Sequence, residues 1–193
     1  DTIPQARFAK ALRAELAHDA ARLGRRKLTS IFFGGGTPSL MAPETVAALI
    51  EDATTLFDAA PNLEITLEAN PTSVEARRLD LFRQAGVNRV SLGIQALDDR
   101  ALAFLGREHS ATQARTALET ARSLFPRLTF DLIYARPEQT LSAWRQELTT
   151  ALQLADDHLS LYQLTIEPGT RFEAMYRNGA FSLPDNDTAA ALY

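Results

Sequence analysis

The amino-acid sequence predicts an α/β fold, an open partial (β/α) barrel of five parallel strands. First, strand-like and helix-like segments alternate along the chain, an order typical of parallel sheets built from right-handed β-α-β units. Second, three of the strand segments are apolar on one face and polar on the other. A sheet covered on both faces, or a closed barrel, would be apolar on both. The pattern therefore favours a barrel that stays open and whose concave face is wet or holds a ligand.

The chain begins with a helical pattern over residues 3–23, with Pro4 in the first turn and Gly24 as its end. Strands are predicted after it at 30–33, 63–69, 89–95, 127–134 and 158–165. The helical patterns between and after them cover 43–57, 74–85, 111–124 and 141–154, with shorter helices within 97–109, near 172–178 and from 184–187 onward. No repeats or linkers interrupt this order, so a single domain is expected.

The second, third and fourth strand segments alternate most regularly, which assigns side chains to faces. The apolar face is predicted to contain Leu63, Ile65, Leu67, Val90, Leu92, Ile94, Leu128, Phe130 and Leu132. The opposite face contains Glu64, Thr66, Glu68, Ser91, Gly93, Gln95, Thr129 and Asp131. We expect Glu68, Gln95 and Asp131 at the carboxyl ends of their strands, where α/β folds assemble binding sites. Alternatively, the two carboxylates cap the helices that follow.

Three glycines, Gly34, Gly35 and Gly36, follow the first strand and precede Thr37 and a new helix. Without Cβ atoms they permit positive φ and let a ligand approach backbone N–H groups. The segment matches neither GxGxxG nor a P-loop with its Lys-Ser/Thr pair. It predicts a site for a phosphate, a carboxylate or an amino-acid backbone, and the alternative is a glycine-rich turn without a ligand.

The composition restricts the classes of function. With 193 residues, of which 46% are apolar, the chain can bury a sizeable core. The net charge of −4, with both signs interspersed, indicates no nucleic-acid or anionic-membrane partner. There is no cysteine, which excludes disulfides and thiolate metal sites within these residues, and the three histidines lack metal-ligand spacing. No leader or long apolar run occurs, so we expect a cytoplasmic protein without a membrane span.

The chain carries six short motifs in this order: 33–40 (FGGGTPSL), 67–71 (LEANP), 91–95 (SLGIQ), 105–109 (LGREH), 130–134 (FDLIY) and 161–169 (LYQLTIEPG). Together they resemble the radical S-adenosylmethionine (SAM) proteins of the oxygen-independent coproporphyrinogen III oxidase-like group, above all its HemW-like heme-chaperone branch. Six ordered motifs across nearly the whole chain are far more specific than any one of them.

The resemblance implies a six-stranded partial barrel that binds SAM. It also implies a four-iron four-sulfur (4Fe-4S) cluster held by a CxxxCxxC loop after the first strand. Neither that strand nor that loop occurs in this sequence. We therefore expect residues 1–193 to be one radical SAM partial-barrel domain that lacks its first strand and is truncated at both ends. The cluster ligands would then lie outside this chain.

The resemblance further assigns residues to the methionine end of SAM. Gly35, Gly36 and Thr37 would line it through their backbone. Glu68 would bind the ammonium group, and Arg107 would bind the carboxylate. A guanidinium fork suits a carboxylate, although an arginine on a loop is also common as a solvated surface charge.

At the nucleoside end, the resemblance implies that Gln95 and Asp131 face the ribose hydroxyls and that Thr165 contacts the adenine through its main chain. Residues 135–137 read Ala-Arg-Pro where the family commonly has Gly-Leu-Pro. This difference leaves Asp131 in place but makes the shape of the following loop an open question. No residue of the chain is assigned to a catalytic or metal-ligating role.

Three functions are compatible with these observations. A heme chaperone would bind heme and SAM and pass heme to an acceptor protein. An oxygen-independent coproporphyrinogen III oxidase (dehydrogenase) would use a 5′-deoxyadenosyl radical to abstract a propionate hydrogen before decarboxylation. The third, an unrelated (β/α) enzyme, is disfavoured by the six motifs. The Thr-Pro-Ser and Leu-Glu-Ala-Asn-Pro segments and the Gly-Arg-x-His run at 106–109 resemble the chaperone branch, so the chaperone is the preferred hypothesis.

Overall fold

The computed structural model describes residues 3–193, except for the side chains of residues 73–77. Within this range the helices are α1 (Gln5–Leu23), α2 (Pro43–Leu56), α3 (Ser73–Gln84), α4 (Asp99–Phe104), α5 (Ala111–Leu124), α6 (Leu141–Leu154), α7 (Arg171–Arg177) and α8 (Asn186–Leu192). The strands are β1 (Lys27–Phe33), β2 (Asp58–Ala69), β3 (Arg89–Gln95), β4 (Arg127–Tyr134) and β5 (Ser160–Gln163). A short 3₁₀ turn, Pro38–Leu40, precedes α2.

The five strands form one sheet in the order β1-β2-β3-β4-β5, and every neighbouring pair is parallel. The sheet curls into a half-barrel, which confirms the predicted open (β/α) barrel. The registers join apolar positions across the strands, with Leu67 opposite Val90 and Val90 opposite Leu128. The strands β2, β3 and β4 therefore share a continuous apolar surface on the convex side of the sheet.

The hydrophobic core lies between this convex surface and the helices. Val90 and Phe130 of the sheet are fully buried and belong to the same cluster as Val46 of α2, Phe82 of α3 and Leu118 of α5. The assignment of faces from the sequence is therefore confirmed. The polar positions of the concave face are also little exposed where the sheet curls around them; these are Thr66, Ser91 and Thr129.

The strand boundaries differ from the prediction at β1, β2 and β5. Lys27 and Leu28 of β1 already pair with Asp58 and Ala59, and the register then shifts before Ser30 meets Glu64. The four residues 60–63 that the shift leaves outside the pairing include Pro61, which cannot donate to a ladder. Because of this irregularity, the sequence pattern does not predict the first part of β2. At the other end, β5 pairs with β4 only from Ser160 to Gln163.

Candidate functional site

A cavity of about 130 Å³ opens on the concave face, beside the loop after β1 and the strands β2, β3 and β4. Five of the residues predicted from the sequence line it: Gly36, Thr37, Glu68, Gln95 and Asp131. The cavity is smaller than the roughly 300–1,000 Å³ of a complete ligand pocket. The described residues therefore form one part of a binding site rather than a closed pocket.

A larger cleft, of about 790 Å³, lies between α4 and α6. Arg136 and Glu147 form part of its wall. None of the eight residues that the sequence assigns to the site lines this cleft. Because the convergent polar groups lie in the smaller cavity, we take that cavity as the candidate site.

The glycine loop forms one wall of the cavity, and its three glycines differ in conformation. Only Gly35 of the three has a positive φ, at 109°. The positive φ that glycine permits therefore occurs at one of the three positions. The Gly35 N–H donates to Glu68 Oε2 at 3.3 Å. A Cβ on Gly34 would lie 2.6 Å from the Phe32 ring, whereas one on Gly36 would meet nothing within 4 Å. The backbone conformation therefore favours glycine at Gly35, a side chain at Gly34 would require the exposed Phe32 ring to move, and Gly36 tolerates a side chain.

We expect Gly35→Ala to lower the free energy of unfolding by about 1–2 kcal/mol, because an L side chain is strained at this φ. Gly36→Ala is the matched control and should change stability by less than about 0.5 kcal/mol. Urea-induced unfolding of the two variants measures the difference. Equal losses at both positions would show that the conformation of Gly35 does not limit the loop.

Two carboxylates face the cavity from neighbouring strands. Glu68 is the penultimate residue of β2, as expected. Asp131 lies three residues before the end of β4, not at the strand end as the sequence suggested, because β4 continues to pair with β5. Capping of the next helix does not explain Asp131, since Thr140 caps α6 with its own side chain.

The environment of Asp131 favours its neutral form. The pKa of Asp131 is raised from 3.8 to about 6; burial is the largest cause, and the nearby Glu68 carboxylate acts in the same direction. A hydrogen bond from Ser160 and the electrostatic influence of His158 and Arg107 act in the opposite direction. The ionised carboxylate is thus poorly compensated without a ligand. Hydroxyl groups of a bound molecule would donate the hydrogen bonds that stabilise the ionised carboxylate.

The pKa of Asp131 predicts a pH dependence of stability. Because the folded-state pKa is raised, the folded protein binds the proton more tightly than the unfolded chain between about pH 4 and pH 6. The contribution of Asp131 to stability is therefore present below pH 4 and is lost as pH rises through 6. A shift of this size corresponds to at most about 3 kcal/mol, and partial exposure reduces it to about 1–2 kcal/mol.

Asp131→Asn removes the carboxyl group that titrates. The free energy of unfolding of the variant, relative to that of wild type, should therefore increase from pH 4 to pH 6.5 and then stay constant. Urea unfolding across that range gives the difference at each pH. A stability difference that does not change with pH would mean that Asp131 titrates with its ordinary pKa in the folded state.

Gln95 reaches the cavity through an unusual backbone conformation at the end of β3. Its φ is 71°, and the register between β3 and β4 shifts between Leu92 and Gln95. Only 9% of Gln95 is exposed. A Cβ on Gly93 would lie 3.3 Å from the Gln95 Nε2 atom, so a glycine at this position lets the amide side chain lie close to the strand.

Arg107 follows the turn that ends α4. The Arg107 N–H donates to Leu102 O at 2.9 Å and the Gly106 N–H to Ala103 O at 3.1 Å, with Gly106 at φ 69°. These are the bonds of a Schellman helix end, which explains the Leu-Gly-Arg order of the motif. Arg107 is an exposed residue by its accessible surface, but neighbouring protein atoms desolvate its guanidinium group and lower its pKa, and the Asp131 carboxylate raises it. Arg107 therefore lies within electrostatic range of the cavity, although it is not part of its lining.

Thr165 is the one predicted residue that the structure leaves apart from the site. It is exposed and lies beyond the last paired residue of β5. Its hydroxyl donates to Glu167 Oε1 at 3.1 Å. Since β5 ends at Gln163, the strand does not carry Thr165 to the cavity.

Sequence reasoning missed five lining residues, the apolar Pro38 and Ala69 and the three residues Asn70, Ser91 and Gly93. Ser91 and Gly93 belong to the polar face of β3, and Asn70 lies in the motif that contains Glu68. The same alternation and the same motif therefore carried a signal for all three.

The loop after β4 is held by a buried ion pair. Arg136 and Glu147 form a two-pronged ion pair with side chains only 10% and 9% exposed. Glu147 Oε1 also accepts the Leu97 N–H at 2.8 Å. Gln139 donates to the same carboxylate at 3.5 Å. The Arg136 pair therefore ties the loop after β4 to the loop after β3, which settles how the Ala-Arg-Pro segment is accommodated.

Comparison with known proteins identifies the family. Residues 5–150 match the sequence profile of the radical SAM superfamily. The chain belongs to this superfamily. It is 49% identical over 171 residues to the mouse (Mus musculus) protein named radical S-adenosyl methionine domain-containing protein 1, mitochondrial, with 88% of this chain and 39% of the mouse protein covered. Over 177 residues it is 44% identical to heme chaperone HemW of Haemophilus influenzae, with 91% and 45% covered.

A solved radical SAM structure agrees with the fold. The coproporphyrinogen III oxidase HemN from Escherichia coli, a radical SAM enzyme, superposes with a TM-score of 0.80 at 27% identity. The match covers 97% of this chain and 43% of that chain. The chain spans less than half the length of this enzyme and of the mouse and Haemophilus relatives.

The superfamily implies SAM and a 4Fe-4S cluster, and the described residues fit these two groups differently. The cavity combines a carboxylate at Glu68, a buried amide at Gln95 and the partly buried carboxyl of Asp131, a donor set that suits an ammonium group and hydroxyls. The 193 residues contain no cysteine, so they offer no thiolate to a cluster. Over residues 3–193, no helix combines the length and hydropathy needed to cross a lipid bilayer.

Proposed function

We propose that the cavity at the carboxyl ends of β1 to β3 binds SAM. The observation that supports this most strongly is the convergence of Glu68, Gln95 and Asp131 with the glycine loop on one cavity. Strand parity and the sequence motifs point to the same three side chains. Their common location is what a shared ligand requires.

In this proposal the ligand's amino-acid end lies against the glycine loop. Glu68 already accepts the Gly35 N–H, and it offers its charge to the SAM ammonium. The backbone of Gly35, Gly36 and Thr37 lines that end. Arg107, whose positive charge lies near Asp131, binds the SAM carboxylate as a two-pronged donor.

Gln95 and Asp131 bind the ribose hydroxyls. Asp131 is the better acceptor when it is ionised, which binding of a hydroxyl promotes by supplying the missing hydrogen bonds. Thr165 remains a proposed main-chain contact of the adenine, supported by the motif 161–169 alone. The cluster, held by cysteines outside these residues, would supply the electron that cleaves bound SAM.

For the whole protein we propose a heme chaperone that binds heme and transfers it to an acceptor protein. Support comes from 34–44% identity to proteins named heme chaperone HemW from four bacteria. The alternative, an oxygen-independent coproporphyrinogen III oxidase, is favoured by the likeness to HemN, but at only 27% identity. We further propose a cytoplasmic location; the mouse relative is named mitochondrial.

Hemin and coproporphyrinogen III distinguish the two functions in the full-length, cluster-loaded protein under anaerobic conditions. A chaperone should bind hemin stoichiometrically, seen as a shifted Soret band, and transfer it to apomyoglobin as a generic acceptor. It should not decarboxylate coproporphyrinogen III in the presence of SAM and a reductant. Conversion of coproporphyrinogen III without retention of hemin would support the oxidase instead.

A further inference from the structure

His109 lies next to the candidate site and has no role assigned by the family resemblance. It is 7% exposed, and its Nε2 atom lies 3.0 Å from the carbonyl oxygen of Ile94. A carbonyl oxygen only accepts, so Nε2 carries the hydrogen and donates. Burial lowers the pKa of His109, which favours the neutral ring. His109, a loop residue, thus forms a hydrogen bond with the backbone of the penultimate residue of β3.

The Ile94 carbonyl is also the acceptor of a tight turn. The Ala96 N–H donates to it at 2.9 Å, which closes a three-residue γ-turn around Gln95. With Gln95 at φ 71°, this is the strained form of the γ-turn, which is rare for a residue with a side chain. Such a conformation persists only where its surroundings fix it.

The turn is fixed from both sides. His109 holds the carbonyl that precedes Gln95. On the other side, Glu147 accepts the Leu97 N–H at 2.8 Å, and Glu147 is itself held by Arg136. The Gln95 side chain between these two anchors lines the cavity.

We infer that His109 is a positioning residue for ligand binding, which acts by holding the Ile94 carbonyl so that Gln95 stays in its γ-turn and faces the cavity. His109 itself does not line the cavity. Its effect on binding is therefore indirect, and we assign it to Gln95 because the Ile94 carbonyl that His109 holds precedes that residue. The part of the inference that concerns ligand binding rests on the proposed SAM site. The part that concerns the γ-turn, which His109 stabilises, rests on the geometry alone.

Four variants of the full-length, cluster-loaded protein test this inference by anaerobic calorimetric titration with SAM. His109→Leu removes the donor, and we expect it to weaken SAM binding about tenfold. His109→Gln places an amide N–H near the position of Nε2 and should stay within about threefold of wild type. In the Gln95→Ala background, His109→Leu should weaken binding no further.

Hydrogen exchange of the Ala96 amide gives a second readout that does not involve SAM. In His109→Leu the γ-turn opens more often, so the Ala96 N–H should exchange at least about tenfold faster, and His109→Gln should restore its protection. Unchanged protection in His109→Leu would overturn the inference. So would an equal loss of affinity with and without the Gln95 side chain, since this would show that His109 acts by another route.

The two readouts also separate this inference from the proposed function. If Gln95→Ala binds SAM as tightly as wild type, the assignment of Gln95 to the cofactor is wrong, and His109 loses its role in binding. The exchange of the Ala96 amide then still decides whether His109 holds the turn.

Discussion

Glu147→Ala should lower the free energy of unfolding by about 3–5 kcal/mol, the cost of leaving a buried charge without its partner. The guanidinium of Arg136 would stay buried, since the side chain is only 10% exposed. The Leu97 N–H would lose its acceptor at the same time. Chemical denaturation of wild type and variant, monitored by circular dichroism, measures the loss.

The chain offers a matched control for this substitution. Glu138 also pairs with an arginine, Arg100, but the two side chains are 83% and 90% exposed and 3.5 Å apart. Glu138→Ala should therefore change stability by less than about 0.5 kcal/mol. Replacement of both Arg136 and Glu147 by leucine should recover much of the loss, because no buried charge is then left unpaired. Similar losses for Glu147→Ala and Glu138→Ala would contradict the burial argument.

Arg107→Ala should weaken SAM binding to the full-length, cluster-loaded protein by about ten- to a hundredfold. A charge-assisted pair with a carboxylate in a partly dry cleft contributes about 1.5–3 kcal/mol. Arg107→Lys should recover little, because an ammonium cannot form the two-pronged contact. Anaerobic calorimetric titration gives the affinities.

Arg100 is the control for Arg107, because its side chain is 90% exposed and lies on α4, outside the candidate site. Arg100→Ala should bind SAM like wild type. In the Arg107→Ala variant the pKa of Asp131 should also rise, since the Arg107 charge lowers it. If Arg107→Ala leaves both the SAM affinity and the pKa of Asp131 unchanged, Arg107 is a solvated surface charge.

The alternation of apolar and polar residues in the sequence predicts most of the fold. It assigned Leu67, Val90 and Phe130 to the core, and all three are fully buried. Periodicity is informative here because the convex face is uniformly apolar and a one-residue slip would expose it. It failed around Pro61, where the register shift removes the alternation that a strand prediction needs.

The candidate site was predictable as a set of residues but not as a geometry. Motifs and strand parity led to Glu68, Gln95 and Asp131. They gave no indication of the γ-turn at Gln95, because a positive φ in a residue with a side chain is fixed by distant partners. His109 and Glu147 are such partners, 14 and 52 positions along the chain from Gln95. Contacts over such distances leave no local pattern.

The strand order also bears on how the chain acquires its structure during synthesis. Each strand pairs with the strand that precedes it in the sequence, so no pairing has to wait for a segment made much later. Sheets with such local connections close shorter loops and fold faster than sheets with distant pairings. The half-barrel can thus grow one β-α unit at a time as the chain leaves the ribosome. At each stage the newest strand offers an unpaired edge that a misdirected chain could bind.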